Sequence, residues 1–76
     1  MARRSIDVRG RSCPIPIVEL MRAIREGAVG DEIEVLADDR AFPSDVRAWC
    51  NKTGHQLLSL GERSGGHAAL VRKQAP

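Results

Sequence analysis

The feature that most constrains the fold is a change in hydrophobic period around residue 16. Ile6 and Val8 alternate with polar residues, which is the pattern of a short strand over Ser5–Val8. Beyond Pro16 the apolar residues recur three and four positions apart, on one face of an amphipathic helix: Ile17, Leu20, Met21 and Ile24. Proline is tolerated in a first helical turn, so Pro16 marks the start of this helix and Gly27 suits its end.

The rest of the chain predicts four further elements. The first is a strand at Glu32–Ala37. The second is a helix that Ser44 or Asp45 caps and Gly54 ends, with Val46, Trp49 and Cys50 facing inward. The last two are strands at Gln56–Leu60 and Ala68–Arg72. A loop at Gly61–Gly66, longer than a tight hairpin turn, leaves it open whether the last two strands pair. Residues 73–76 read as a frayed tail.

The predicted order is therefore β-α-β-α-β-β within one domain, residues 1–76. Two strand-helix-strand units favour parallel pairing with right-handed crossovers. A chain of 76 residues has room for one layer of helices on one sheet, an α/β two-layer arrangement.

Composition excludes several functional classes. The net charge of +2 is too small to indicate binding to nucleic acid or a membrane. Phe42 and Trp49 are the only aromatic residues, which disfavours base stacking on single-stranded nucleic acid. Two cysteines are too few for a secreted disulfide scaffold, and the first residues lack the apolar run of a signal peptide. A cytoplasmic protein is expected.

Cys13 is the candidate nucleophile because it lies just before the predicted helix start. Unpaired N–H groups and the positive end of the helix dipole favour an anion there, which predicts a thiol pKa of roughly 3.5–7.5. Arg9 and Arg11 would favour the thiolate further. The alternative for Cys13 is a small apolar residue packed at a helix start. Cys50, at helical spacing from Val46, reads as a core residue, with a second redox-active thiol as its alternative.

Metal binding is not expected, because no short ligand spacing such as C-x2-C is present. His55 is predicted to form a structural hydrogen bond at a strand start. Asp38 and Asp39 follow a strand directly, so their side chains should point apart and serve turn or capping roles. No cofactor is predicted.

The stretch Asp7-x-Arg9-Gly10-x-x-Cys13-Pro14-x-Pro16 resembles the TusA-like (SirA-like) sulfur-carrier family. The likeness extends to Ala37-Asp38-Asp39 and to the segment from Trp49 to Gly54-His55. It implies a mixed four-stranded sheet with two helices on one face.

The resemblance also implies a function. Cys13 would accept a sulfane sulfur as a persulfide, from a cysteine desulfurase or a rhodanese-like donor. It would pass that sulfur to an acceptor protein in tRNA thiolation, cofactor assembly or sulfur oxidation. Arg9, Gly10, Arg11, Pro14 and Pro16 would form the active-site loop. A monomer is expected. Two alternatives stay open: a non-enzymatic interaction module, and a redox regulator that cycles through a Cys13–Cys50 disulfide.

Overall fold

Strands and helices follow one another in the predicted order in the computed structural model, which describes residues 2–74. The elements are β1 (Arg3–Asp7), α1 (Ile15–Glu26), β2 (Glu32–Ala37), α2 (Phe42–Thr53), β3 (Gln56–Arg63) and β4 (Gly66–Arg72). Within residues 2–74, neither helix combines the length and the apolarity that a membrane span needs.

The sheet is mixed and its strands lie in the order β1-β2-β4-β3. β1 and β2 are parallel neighbours, with Ile6 opposite Val35, and α1 connects them. β4 is antiparallel to both β2 and β3 and lies between them. β2 and β3 thus run in the same direction, as the two strand-helix-strand units predict, but they do not pair.

The core lies between the helices and one face of the sheet. On β2 the residues Ile33 and Val35 are fully buried, whereas Glu32 and Glu34, which alternate with them, are half-buried on the opposite face. The other core residues come mainly from the two helices and β4: Val8, Leu20, Ala23, Ile24, Ala37, Phe42, Val46, Cys50, Ala69 and Val71. Both helices therefore pack on one face, and Cys50 is a core residue as predicted.

The apolar face of α1 is rotated slightly from the predicted one. Met21 is 38% exposed, whereas Ala23 and Pro16 are buried beside Leu20 and Ile24. The helix begins at Ile15, which places Pro16 in its first turn as predicted.

The predicted start of α2 at Ser44 or Asp45 is wrong. The helix begins at Phe42, with Pro43 in its first turn and Ala41 at the cap position, where no side chain caps it. The proline rule that located α1 applies here as well, because Pro43 lacks the N–H that a first turn leaves unpaired anyway. The earlier start carries Phe42 into the core and places Asp45 within the first turn of the helix.

The predicted loop at Gly61–Gly66 is also wrong. β3 continues to Arg63, which pairs with Gly66, so that a two-residue turn of Ser64 and Gly65 joins β3 to β4. Ser64 and Gly65 have φ values of 52° and 78°. Positive φ at both central positions is the requirement of a type I′ turn, whose twist matches that of the paired strands.

The predicted frayed tail is wrong for its first residues. Lys73 is only 7% exposed, and its Nζ donates to the Gly27 carbonyl at the end of α1 (2.7 Å). The Gln74 N–H donates to His55 Nδ1 (3.1 Å), which confirms the structural hydrogen bond predicted for His55. Lys73 satisfies a carbonyl that a helix end leaves unpaired. Ala75 and Pro76, the rest of the predicted tail, lie outside the described residues.

Gly66→Ala is expected to destabilise the protein by about 1 to 3 kcal/mol, the usual cost of overpacking. A Cβ at this buried position would lie 2.8 Å from the Ala37 carbonyl oxygen, so the backbone of β2 or β4 would have to shift. The measurement is the free energy of unfolding in urea. Gly61→Ala is the matched control, since a Cβ there meets nothing within 4 Å. Equal stability of the two variants would contradict the steric argument.

Candidate functional site

The loop between β1 and α1 begins with an ion pair within the sequence motif. The Arg9 guanidinium donates to both Asp7 carboxylate oxygens, Nη2 to Oδ2 at 2.7 Å and Nε to Oδ1 at 2.9 Å. The Arg9 backbone N–H also donates to Asp7 Oδ1 at 3.1 Å. These contacts turn the chain sharply after β1, which explains why an Asp and an Arg stand two residues apart before the glycine.

Gly10 joins this loop to the end of β2. Its N–H donates to Asp38 Oδ1 at 2.9 Å, and its φ of 84° lies in the left-handed region that favours glycine. Asp38 thus points toward Gly10, whereas Asp39 is directed to the neighbourhood of Cys13. The two carboxylates point apart, as predicted from their adjacent positions.

The carboxyl group of Asp7 is expected to titrate near pH 2. The hydrogen bonds from Arg9 lower its pKa from the ordinary 3.8 to about 2. Because the folded-state pKa is depressed, the contact stabilises the fold fully above about pH 4 and is lost as the pH falls through 2. The measurement is a carbon-13 NMR titration of the carboxyl group. Arg9→Gln should return the midpoint toward 3.8, and a wild-type midpoint already at 3.8 would contradict the ion pair.

Cys13 lies immediately before the helix and is exposed to solvent. Pro14 occupies the N-cap position, and Pro16, which is buried, anchors the first turn of α1 in the core. Arg11 is exposed in the same loop, and its backbone N–H donates to the Val8 carbonyl at 3.1 Å. The six residues predicted for the site therefore form one continuous loop and helix start.

The thiol of Cys13 contacts α2 rather than an arginine. Its Sγ donates a hydrogen bond to Asp45 Oδ2 at 3.2 Å. This bond raises the pKa of the Cys13 thiol, and desolvation and the negative charges of Asp45 and Asp39 raise it further. The predicted lowering of the thiol pKa is therefore wrong. Arg9, expected to favour the thiolate, is bound to Asp7 instead.

Asp45 is the residue of this site that sequence reasoning missed. The sequence predicts only a capping role for Asp45, because no local pattern indicates that the first turn of α2 lies beside the start of α1. Asp39 completes the surroundings of the thiol. Its Oδ2 is inaccessible to solvent and has no hydrogen-bond partner within residues 2–74.

Sγ of Cys13 and one carboxylate oxygen each of Asp39 and Asp45 lie within 4.8 Å of one another. Such spacing is compatible with a cation, but the thiol hydrogen bond already accounts for the approach of Cys13 to Asp45. We assign no metal ion to these atoms.

A cleft with a volume of about 230 Å³ lies away from this site, at the C-terminal end of α1. Met21, Trp49 and His55 are among its lining residues, and no residue of the Cys13 loop lines it. Cys13 is thus presented on the surface rather than inside this cleft.

Fold and site together define a class: a small two-layer α/β protein that presents an exposed cysteine at the start of its first helix. Residues 4–73 match the family model described as Sulfurtransferase TusA. The chain belongs to the TusA family of sulfur carriers.

Individual relatives agree with this assignment over nearly their whole length. The chain is 38% identical to a Neisseria meningitidis protein over 72 residues, which cover 95% of this chain and 97% of that protein. It is 34% identical to the sulfur carrier protein TusA of Pseudomonas entomophila over 71 residues, 93% of this chain and 89% of the relative. The crystal structure of a SirA-like protein from Desulfitobacterium hafniense superposes with a TM-score of 0.75 at 24% identity, covering 91% and 93% of the two chains. This last likeness confirms the fold.

Proposed function

We propose that Cys13 carries sulfur as a persulfide and relays it between two partner proteins. The observation that supports this most directly is the contrast between the two cysteines. Cys13 is exposed on the motif loop, whereas Cys50 is 5% exposed in the core. Only a thiol at the surface can meet a sulfur held on another protein, so Cys13 is the residue for the relay.

The proposed transfer needs no cofactor. The thiolate of Cys13 attacks the outer sulfur of a donor persulfide, the donor S–S bond breaks, and the donor cysteine leaves as a thiolate that takes up a proton. Cys13 then holds the S–SH group, and the same exchange in reverse roles delivers it to an acceptor. The number of sulfane sulfur atoms is unchanged, so neither an oxidant nor a reductant is consumed.

The partners in this proposal are proteins. A cysteine desulfurase or a rhodanese-like protein would serve as donor, and an acceptor would act in tRNA thiolation, cofactor assembly or sulfur oxidation. The loop residues Arg9, Gly10, Arg11, Pro14 and Pro16 would hold Cys13 at the surface for both encounters. A redox cycle through a Cys13–Cys50 disulfide receives less support, because Cys50 is packed in the core.

Intact-mass measurement tests the proposal. The purified protein is incubated with a persulfide donor and measured before and after treatment with a thiol reductant. We expect a gain of about one sulfur atom that reduction removes. No gain from several donors would contradict the carrier function.

A further inference from the structure

We propose that Asp45 restrains the nucleophile of the unloaded carrier: its carboxylate accepts the Cys13 thiol hydrogen and keeps that sulfur in the protonated, less reactive form. The distinction between an unloaded and a loaded carrier rests on the proposed sulfur-carrier function. The restraint itself concerns only the thiol and the carboxylate.

The first support is the contact itself. The distance from Cys13 Sγ to Asp45 Oδ2 is 3.2 Å, with the thiol as donor. If Cys13 lost its proton, a sulfur anion would face a carboxylate at this distance with no hydrogen between them. Such a pair of like charges disfavours ionisation of the second group.

The second support is the charge around the thiol. From the loop between β2 and α2, Asp39 adds another carboxylate, whose Oδ2 is buried and unpartnered within residues 2–74. On the loop that carries Cys13, Arg9 is neutralised by Asp7, and Asp38 accepts the Gly10 N–H. The remaining cation of this loop is Arg11, which is exposed.

These surroundings oppose the effect of the helix N-terminus on the thiol. Asp45 and Asp39 raise the pKa of the thiol, whereas a cysteine at a helix start is expected to be more acidic than usual. The free carrier therefore holds little thiolate at neutral pH. Since thiolate is the species that reacts with oxidants and alkylating agents, the empty carrier is protected from both.

The restraint applies to the empty carrier alone for a chemical reason. In Cys13–S–SH the Sγ atom is bonded to carbon and to the second sulfur and has no hydrogen to donate. When the proton leaves Sγ for solvent and the donor S–S bond is exchanged for a new one at Cys13, the Sγ–H contact with Asp45 ends. Empty and loaded carriers thus differ in a contact between the Cys13 loop and α2.

The test is the rate of Cys13 alkylation by iodoacetamide as a function of pH, in wild type and in Asp45→Asn. The asparagine carbonyl can still accept the thiol hydrogen, so the variant removes the negative charge and keeps a hydrogen-bond acceptor. We expect the midpoint of the rate profile to fall by about one pH unit, which makes alkylation at pH 7 about threefold faster, because the gain in thiolate is partly offset by the lower nucleophilicity of a more acidic thiol. Cys50→Ala is used as the common background so that a single thiol reacts.

Glu26→Gln is the matched control. It removes the same charge from the other end of α1, about 16 Å along the helix axis, and should leave the profile unchanged. Asp39→Asn should shift the midpoint in the same direction by less, and it serves if Asp45→Asn does not fold. A midpoint that stays or rises when the carboxylate is neutralised would overturn the proposal.

The proposed function and the restraint fail separately. A wild-type protein that gains sulfur, combined with an unchanged profile in Asp45→Asn, would leave the carrier function standing and remove the restraint. A lowered midpoint in Asp45→Asn, combined with a wild-type protein that never gains sulfur, would support the restraint and contradict the carrier function.

Discussion

Replacing Cys13 with serine is expected to abolish sulfur loading while leaving the fold and its stability nearly unchanged. The side chain is exposed and adds nothing to the core, so its replacement by a hydroxyl of similar size removes only the sulfur nucleophile. Surface substitutions of this kind usually change stability by less than about 0.5 kcal/mol. The serine hydroxyl can still donate to Asp45, which keeps the loop in contact with α2.

The measurement is intact mass after incubation with a persulfide donor, together with urea unfolding of each protein. Cys50→Ala is the informative companion, because it removes the other thiol and should keep loading at the wild-type level. Its cost is a small cavity in the core, where Cys50 is 5% exposed. If Cys13→Ser still gained sulfur and Cys50→Ala did not, the carrier residue would be Cys50, and the role proposed for Cys13 would be contradicted.

Phe42→Ala is expected to remove about 3 to 5 kcal/mol of stability, the range for deleting a buried phenylalanine ring. Phe42 is 1% exposed and is the first residue of α2, packed among the core residues of both layers. A domain of this length has a total stability of about 4 to 11 kcal/mol. The variant should therefore be close to unfolding at room temperature.

Urea unfolding measures this loss, with Phe42→Leu as the control. Leucine keeps most of the apolar volume, so that variant should lose about 1 kcal/mol. A loss below 1 kcal/mol for Phe42→Ala would mean that the start of α2 is not part of the cooperative core.

Sequence reasoning succeeded where the relevant contacts are local. The start of α1 follows from the position of Pro16 and the spacing of the apolar residues after it, and the structure places it within one residue. The burial of Ile33 and Val35 follows from their alternation with Glu32 and Glu34. Pro43 carries the same information about α2, whose start at Phe42 lies several residues before the predicted cap at Ser44 or Asp45.

The electrostatics of the candidate site could not be obtained in this way. From the sequence, Cys13 has arginines as its charged neighbours and a helix dipole to stabilise its thiolate. In the fold, Arg9 turns back to Asp7, while Asp39 and Asp45, which are distant along the chain, surround the thiol.

The sequence by itself determined the succession of strands and helices, the exposed motif cysteine and the family, since hydrophobic period and turn residues act over a few positions. Only the tertiary structure decided that β4 lies between β2 and β3 and that α2 brings Asp45 to within 3.2 Å of the Cys13 sulfur. The reason is physical. Strand order and helix packing depend on how whole faces of the two layers fit together, and the charge that controls a thiol acts through space rather than along the chain.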